Sequence, residues 1–402
     1  MDELQNLRRD IDAIDRELVE LFRRRMDVTA RVGAYKRERG IPVLDQERER
    51  QVLRNKGELA GEELRPAVVT LFQTVMALSR RQQRDMLGQG ADNPGVRRWR
   101  EARDAQRQPI PAPRVAYQGE PGAYSEQAAL DFFGGSVRAA GLEQFEDCFL
   151  ALREGRADYA VLPIENSSTG AIRQIYDLLT QYECYMVGET TVKVEHCLMA
   201  LPGASLESIT HVYSHEQGLF QCERYLNAHP GWKQVPQADT AGSAKMVADS
   251  GDLTKAAICS ARAAELYGLE ILARGINHNT QNTTRFVVVS PRLELRPGAD
   301  KVSTLFVLPH EAGSLHEVLT VFAVHGLNMV KLESRPMPGR SWEYMFFLEF
   351  TGAPGDPAVG DALHELAQTT GEFRVLGWFP SNLGQEQEHA FHVKRTDEKA
   401  GP

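Results

Sequence analysis

The sequence has no long apolar run, no paired cysteines and no excess of basic residues, and each absence excludes a class of protein. No apolar run approaches the roughly 20 residues that a membrane-spanning helix requires. The first ten residues, MDELQNLRRD, are charged from the second position onward and lack the apolar segment of a secretory signal peptide. We therefore expect a cytoplasmic protein.

The five cysteines are scattered, with no CxxC pair among them, so neither a zinc site nor a disulfide framework is predicted. The net charge of −9 argues against general affinity for nucleic acid, which requires a basic face. The glycines of GEPGAYS at 119–125 do not form GxGxxG, so no dinucleotide cofactor is expected. We expect no metal and no other cofactor, in a chain of 402 residues that is long enough for several domains.

Residues 1–87 have the pattern of a helical module. Apolar residues at 4, 7, 11, 14, 18, 21, 28, 32 and 35 predict one long helix with a bundle-forming stripe. Position 25 continues that stripe but holds Arg25, which requires either an anionic partner or a route to solvent. Lys36 lies about 16 Å farther along nearly the same face, so the pair is placed to bracket a dianion. Arg8 is roughly a quarter-turn away and would reach that ligand from another protomer.

The rest of this module is predicted to contain two shorter helices. The long helix should end near Arg39 and Gly40, Asp45 should cap the second helix, and the third should begin at Pro66. Three such helices bury little surface as a monomer, so we predict an all-α homodimer with interlocked long helices.

Residues 88–112 are predicted to form a linker, in which VRRWREARDAQ is a short solvated helix. Residues 113–290 alternate apolar strands with amphipathic helices, which predicts an α/β domain with parallel sheets. After a linker at 291–300, residues 301–380 show the order βαββαβ, which predicts a ferredoxin-like α+β domain. The polar tail at 381–402 is predicted to be disordered.

Four polar turns in the α/β region lie at strand ends, where small-molecule sites form in α/β sheets. Each also has a structural interpretation. The hydroxyls and free N–H groups of 165–170, at the start of a helix near Ile172, could receive a substrate carboxylate. The alternative is that Ser167, Ser168 or Thr169 caps that helix, and both can hold at once. Ser214 and Gln217 fit a capping box. The four turns are YQGEPGAYS at 117–125, PIENSSTGAI at 163–172, YSHEQGLFQC at 213–222 and NHNTQNTTRF at 277–286.

These four turns, in this order, closely resemble the prephenate dehydratase family, whose most recognisable signature is the TRF at 284–286. Residues 1–87 resemble a helical chorismate mutase, because the family's order R…R…K…D..RE…S…Q is matched in full. Residues 301–380 resemble phenylalanine-binding ACT domains through the intact ESRP at 333–336. The companion motif GALV is present as GSLH at 313–316, changed at two positions. The whole chain resembles the bifunctional chorismate mutase–prephenate dehydratase family.

The mutase resemblance implies a site that holds a dicarboxylate and stabilises charge on an ether oxygen without proton transfer. It implies that Lys36 and Gln83 donate to that oxygen and that Glu49 accepts the substrate hydroxyl. The implied substrate-binding residues are Arg8, Arg25, Arg48, Asp45 and Ser79.

The dehydratase resemblance implies two subdomains facing a cleft, as in periplasmic binding proteins. It implies that Thr284 assists the departing hydroxyl, that Glu165 is the candidate proton donor and that Arg285 binds a carboxylate. His215 is an alternative general acid, although a histidine beside a helix cap is more often structural. The further implied site residues are Asn166 in catalysis and Ser214 and Gln221 in substrate binding.

The ACT resemblance implies a phenylalanine site formed by Gly313, Leu315, Glu333, Ser334, Arg335 and Pro336. The expected function is conversion of chorismate to prephenate and then to phenylpyruvate, with feedback inhibition by phenylalanine. Two alternatives remain open: a dehydratase that prefers arogenate, and a non-catalytic amino-acid sensor.

Overall fold

The computed structural model describes residues 2–87, 94–105, 108–308, 310–311, 313–337, 340 and 343–382. The chain divides into two compact units, the first formed by Met1–Glu101 with Val302–Val375 and the second by Ala102–Lys301 with Leu376–Pro402. None of the helices in these described ranges is long and apolar enough to cross a membrane. The predicted disordered tail lies outside the described residues from 383 onward, as do 88–93 of the predicted linker.

The N-terminal helices are α1 (Asp2–Arg39), α2 (Gln46–Leu59), α3 (Gly61–Leu87) and α4 (Pro94–Ala105). Two boundary predictions are confirmed, because α1 ends at Arg39 and the Asp45 carboxylate caps α2 by accepting from the Arg48 N–H at 3.0 Å. The predicted start of the third helix is wrong. Pro66 lies inside α3, close to its start. A proline has no N–H, so it removes one hydrogen bond, to a carbonyl near the beginning of the helix, and the helix continues past it.

Helix α4 is confirmed as a helix, but its predicted solvation is wrong. Val96, Trp99 and Ala102 are only 0%, 2% and 4% exposed. Their spacing of three residues places them on one face, and that apolar face is removed from water despite the many charges of the segment.

The second unit contains two sheets with helices between their strands. In chain order its elements are β1 (Arg114–Gln118), α5 (Tyr124–Phe133), β2 (Arg138–Leu142), α6 (Phe145–Arg153), β3 (Tyr159–Asn166), β4 (Gly170–Ala171), α7 (Arg173–Gln181), β5 (Tyr185–Lys193), β6 (Cys197–Ala200), β7 (His211–His215), α8 (Glu216–Gln221), α9 (Glu223–Asn227), β8 (Lys233–Gln237), α10 (Thr240–Ser250), β9 (Lys255–Cys259), α11 (Ala261–Tyr267), β10 (Glu270–Ala273) and β11 (Thr283–Ser290).

The strands of the second unit are arranged in the orders β5-β11-β3-β1-β2, with β4 beside β3, and β10-β6-β9-β7-β8. Strand β1 is parallel to β2 and β3, and β7 is parallel to β8 and β9. Strand β11 runs antiparallel to both β3 and β5, and β6 runs antiparallel to β9 and β10. The prediction of parallel sheets therefore holds only in part. Two consecutive strands joined by a helix usually run parallel, because the helix returns the chain to the same edge of the sheet. Strand β11 is not joined to its neighbours β3 and β5 in this way, so its direction does not follow from this rule.

The chain returns to the first unit through β12 (Lys301–Leu308), α12 (Ser314–His325), β13 (Met329–Pro336), β14 (Tyr344–Thr351), α13 (Pro357–Thr369) and β15 (Phe373–Phe379). These elements follow the order βαββαβ, and the strands are arranged as β13-β14-β12-β15. The apolar faces of α12 and α13 are buried, with Val318, Phe322 and Leu363 fully enclosed.

Gly141 in β2 provides a test of the packing between β2 and the turn that follows β1. A Cβ at this position would lie 2.2 Å from the carbonyl oxygen of Gly119, in the polar turn that follows β1. We expect Gly141→Ala to lower the free energy of unfolding by about 1–3 kcal/mol, because backbone must shift to admit the methyl group. The matched control is Gly135→Ala, where an added Cβ meets no atom within 4 Å. Equal midpoints of urea unfolding for the two variants would contradict this interpretation.

Candidate functional site

The three long helices of the first unit enclose a cavity of about 170 Å³. Helix α1 contributes two cations, the start of α2 contributes two carboxylates and an arginine, and α3 contributes a hydroxyl and an amide. Arg8 lies 17 residues before Arg25, about 25 Å away along α1, and does not line the cavity of its own chain. The predicted residues that line it are Arg25, Lys36, Asp45, Arg48, Glu49, Ser79 and Gln83.

Arg25 lies on the packed side of α1 and faces α3. Its Nη1 donates to the Ser79 hydroxyl and, at 3.4 Å, to the Val75 carbonyl. Burial lowers the pKa of Arg25, and the negative charge of Glu49 partly opposes that shift. Because an arginine remains charged even so, the cavity contains a fixed cation beside a carboxylate.

The two proposed donors to an ether oxygen lie on opposite walls of the same cavity. The Lys36 Nζ donates to the Val43 carbonyl at 2.6 Å, and the Gln83 Nε2 donates to the Ser79 carbonyl at 3.2 Å. A Cβ at Gly33 would lie 3.0 Å from the Gln83 Cγ, so α1 and α3 approach closely here. This close approach holds the Gln83 amide at the cavity wall.

Arg80 also lines the cavity, and sequence reasoning missed it. Its Nη1 donates to the Glu49 Oε2 at 2.5 Å. Within the segment SRRQQ, nothing in the sequence distinguishes Arg80 from Arg81. The difference between the two arises from which way each side chain leaves α3.

The dehydratase residues meet on the neighbouring strands β3 and β11. The antiparallel register pairs Thr284 with Asn166 and Arg285 with Glu165. The Asn166 Nδ2 donates to the Thr284 Oγ1 at 2.8 Å, and both residues are 8% exposed. Two polar turns that are more than a hundred residues apart in sequence are thus joined by strand pairing.

Asn282 links this pair to Gln221, and sequence reasoning did not single it out within its polar turn. Its Oδ1 accepts from the Asn166 Nδ2 at 2.7 Å, and its Nδ2 donates to the Gln221 Oε1 at 3.0 Å. The same Gln221 oxygen accepts from the His196 Nε2 at 2.9 Å. Asn282 is 1% exposed, so every polar atom in it depends on these partners.

His196 was also missed, since it stands alone in the segment VEHCL. Burial lowers the pKa of His196, and its hydrogen bond to Gln221 opposes that shift. The imidazole is therefore neutral and carries its proton on Nε2, facing the Gln221 oxygen. The Tyr124 hydroxyl lies 3.3 Å from the other ring nitrogen.

Arg285 is buried and participates in an ion cluster. Its Nε donates to the Glu189 Oε2 at 2.6 Å, and the Lys301 Nζ donates to the other Glu189 oxygen at 2.6 Å. Burial raises the pKa of Glu189, but Arg285 and Lys301 outweigh that effect and lower it, so this carboxylate is ionised. Two cations thus share the Glu189 carboxylate, and a second carboxylate, that of Glu165, lies 3.9 Å from the Arg285 Nη1.

The predicted capping box of Ser214 and Gln217 is wrong. Helix α8 is capped by His215, whose Nδ1 accepts from the Gln217 N–H at 3.2 Å. Ser214 belongs to β7 and is fully buried, and its hydroxyl donates to the Ile258 carbonyl at 2.7 Å. Ser214 therefore does not join the cluster around Asn282, and His215 has the structural role of a cap.

The alternative interpretation of residues 167–169 as a helix cap is wrong, and these residues do not lie at the start of the next helix. Helix α7 begins at Arg173 after Ile172, without a side-chain cap. The N–H groups of Ser168 and Thr169 donate instead to the Asn166 Oδ1, at 2.9 and 3.1 Å. The short strand β4 separates these hydroxyls from the helix, so they cannot reach its first turn.

The predicted effector residues lie at two places in the C-terminal part of the first unit, residues 302–375. Gly313, with φ of 94°, immediately precedes α12, and Leu315 lies in the first turn of that helix. The ESRP segment lies on β13, which pairs with β14 and ends the strand order. Its side chains alternate, so that Glu333 and Arg335 are half-buried while Ser334 and Pro336 are exposed.

Three family profiles match the chain in order. Chorismate mutase type II matches residues 7–84, prephenate dehydratase matches 115–293 and the ACT domain matches 302–368. The similar curated proteins include a bifunctional chorismate mutase/prephenate dehydratase from Aquifex aeolicus (strain VF5). It is 33% identical over 393 residues, which cover 96% of this chain and 100% of the relative. The protein of the same description from Escherichia coli (strain K12) is 34% identical over 93% of this chain and 95% of its own length.

Other relatives cover the dehydratase and C-terminal parts. Arogenate dehydratase/prephenate dehydratase 6 from Arabidopsis thaliana is 42% identical over 67% of this chain and 69% of its own length. Among solved structures, prephenate dehydratase from Arthrobacter aurescens in complex with L-Phe has a TM-score of 0.61 and 30% identity over 71% of this chain and 99% of that one. A quorum quenching acylase, GqqA, has a TM-score of 0.62 and 33% identity over 68% and 99%.

The fold and these matches define an enzyme that combines a helical mutase, an α/β dehydratase and an ACT domain. The chain belongs to the bifunctional chorismate mutase/prephenate dehydratase family.

The position of Asn282 leads to a test of the dehydratase cluster. We expect Asn282→Ala to reduce dehydratase kcat/KM about tenfold to a hundredfold, because Asn166 and Gln221 lose their common partner and shift. Mutase activity of the same protein should not change. Gln281→Ala, at the exposed neighbouring position, is the control and should leave both activities intact. Equal dehydratase rates in the two variants would show that the cluster does not position the site.

The lowered pKa of His196 predicts a pH dependence of stability. The unfolded chain takes up a proton at His196 below its ordinary pKa of about 6.5, whereas the folded chain resists protonation. This stabilising contribution is therefore complete above that pH and is lost as the pH falls below it. We expect the urea midpoint to decrease more between pH 7 and pH 5 for the unmodified protein than for His196→Gln. The same decrease in both proteins would contradict the assignment.

Proposed function

We propose that this enzyme catalyses two consecutive reactions at separate sites. The helical cavity rearranges chorismate to prephenate, and the site around Thr284 decarboxylates and dehydrates prephenate to phenylpyruvate. The main support is that one chain contains both the cavity with seven of the eight predicted mutase residues and the Asn166–Thr284 pair. Phenylalanine, the amino acid derived from the product, acts as feedback inhibitor.

The mutase step depends on holding one compact conformer of the substrate. Arg25 and Arg48 bind its carboxylates, Lys36 and Gln83 donate to the ether oxygen, and Glu49 accepts from the substrate hydroxyl. Carbon–carbon bond formation and ether cleavage occur within the substrate, so no protein group gains or loses a proton. Donors fixed before the reaction stabilise the charge that develops on the oxygen.

A homodimer completes this cavity. Helix α1 has a row of apolar residues that are 55–57% exposed, and a row this long is unfavourable in contact with water. A second copy of α1 covers it and brings its own Arg8 to the cavity as a further cation. The row consists of Leu4, Leu7, Ile11, Ile14, Leu18 and Leu21.

The dehydratase step requires a hydrogen-bond donor at the departing hydroxyl. Because the Asn166 amide donates to the Thr284 Oγ1, the Thr284 proton is available for the substrate. The bond to the carboxyl carbon breaks, its electrons complete the aromatic ring, and the hydroxide leaves as water with a proton from Glu165. Arg285 binds the remaining carboxylate, and Glu189, which it shares with Lys301, holds the guanidinium in position.

Arogenate is a second candidate substrate for the lyase step. Relatives described as arogenate dehydratases from Arabidopsis thaliana are 42% identical over 289 residues. Arogenate has an amine where prephenate has a keto group, and its product would be phenylalanine itself. Phenylalanine binding at Gly313, Leu315 and 333–336 is supported by the ESRP segment and by the relative described as a complex with L-Phe.

We propose a ferredoxin-like C-terminal domain, which the βαββαβ order supports, and two dehydratase subdomains, which the two sheets support. The boundaries 1–87, 113–290 and 301–380 are consistent with the matched segments. The five cysteines are free, in keeping with a cytoplasmic location.

The deciding experiment gives the purified protein chorismate alone and follows prephenate and phenylpyruvate, with and without phenylalanine. We expect phenylpyruvate to form, and to form more slowly when phenylalanine is present. Arg25→Ala should abolish the first step and spare turnover of added prephenate, and Thr284→Ala should do the reverse. Accumulated prephenate with rapid turnover of arogenate would favour the second substrate, and unchanged chorismate would favour a sensor. Loss of both steps in either folded variant would contradict separate sites.

A further inference from the structure

A chain of charged side chains connects the mutase cavity with the C-terminal part of the first unit. The Arg80 Nη1 donates to the Glu49 Oε2 at 2.5 Å, and the Arg80 Nε donates to the Glu365 Oε1 at 3.1 Å. The other Glu365 oxygen lies 3.1 Å from the His325 Nε2. Glu49 belongs to α2, Arg80 to α3, Glu365 to α13 and His325 to α12, so four helices meet at this chain.

Arg80, Glu365 and His325 are buried, and the Glu49 side chain is 24% exposed, so screening by water is weak along most of this chain. Arg80 is 8% exposed and Glu365 is 0% exposed. Burial alone would lower the pKa of Arg80, but Glu49 and Glu365 together raise it. A buried cation between two carboxylates has one favourable orientation, because turning away from either would leave a charge unpaired. Glu365 therefore fixes the orientation of the Arg80 guanidinium, and the guanidinium in turn fixes the orientation of the Glu49 carboxylate.

A third carboxylate, Glu317 of α12, lies at the same place. It lines a small cavity together with Glu49, Arg80 and the amide of Gln73. Burial raises the pKa of Glu317, Arg80 opposes that shift, and Glu49 adds to it. Glu317 therefore competes weakly for the guanidinium, and Glu49 and Glu365 remain its partners.

The neighbouring Arg81 provides an internal comparison. Its Nη1 donates to the Val324 carbonyl near the end of α12, so Arg81 also links α3 with the C-terminal part. Arg80 forms its ion pairs with Glu49 and Glu365, whereas Arg81 donates to a backbone oxygen of α12. Substitution of Arg81 therefore tests the attachment of α3 to α12, and substitution of Arg80 tests the orientation of Glu49.

We propose that Arg80 is a positioning residue for the mutase step and that Glu365, in the segment matching the ACT domain, holds it in place. Arg80 orients the Glu49 carboxylate to accept the substrate hydroxyl. The mutase cavity therefore depends on a side chain from outside the mutase helices. This inference rests on the role of Glu49 in the proposed function.

The test uses full-length protein and measures kcat and KM of the mutase and dehydratase steps separately. We expect Arg80→Met to reduce mutase kcat/KM about tenfold to a hundredfold through misplacement of Glu49. Dehydratase activity should change less than about twofold, since nothing proposed for that step involves Arg80. Glu365→Gln should cause a smaller loss in the same direction, and Arg80→Lys should restore part of the activity. Arg81→Met is the matched control and should keep full mutase activity.

A double variant distinguishes positioning from general stability. If Arg80 acts through Glu49, adding Arg80→Met to Glu49→Gln should cause little further loss of mutase kcat/KM. Full additivity of the two losses, or an equal loss in Arg81→Met, would overturn the inference while leaving the mutase assignment intact. A fully active Glu49→Gln protein would overturn both. If Arg80→Met does not fold, Arg80→Lys and Glu365→Gln, each alone and combined with Glu49→Gln, provide the same comparison.

Discussion

Arg80 lies between the Glu49 carboxylate at 2.5 Å and the Glu365 carboxylate at 3.1 Å, almost completely withdrawn from water. A guanidinium in such a place is tolerated only when its charge is balanced and its N–H groups are bonded. Helices α2, α3 and α13 must therefore keep these three side chains together. The shape of the mutase cavity, which Arg80 and Glu49 both line, is a consequence of that requirement.

The second unit meets the same requirement in another fold. Glu189 on β5 receives Arg285 from β11 and Lys301 from the start of β12, each at 2.6 Å. Its ionised carboxylate pairs with both cations, and the Glu165 carboxylate lies 3.9 Å from the Arg285 Nη1. In both units a buried ion cluster contains a residue that we assign to the reaction, Glu49 in the first and Arg285 in the second. Buried charges are costly, and they are retained here where fixed orientation of a charged group serves the reaction.

The polar cluster around Asn282 acts by hydrogen bonding. Its amide joins Asn166 on β3 to Gln221 at the end of α8, and neutral His196 closes the cluster. Each member is buried, and the hydrogen bonds among them restrict the orientation of each side chain. The Thr284 oxygen accepts from the Asn166 amide, which fixes the position of this hydroxyl at the end of the cluster.

Residue pattern alone was sufficient for the long amphipathic helix, the cap at Asp45 and the βαββαβ order, because periodicity and capping are local properties of a chain. The antiparallel course of β11, the cap at His215, and the roles of Arg80, Asn282 and His196 were decided by tertiary structure. Apart from the local cap at His215, each depends on partners that are tens to hundreds of residues away, such as Arg80 and Glu365. The local sequence cannot show which of the adjacent residues Arg80 and Arg81 pairs with a buried carboxylate. That pairing is determined by the packing of α3 against α13, which brings Glu365 to Arg80.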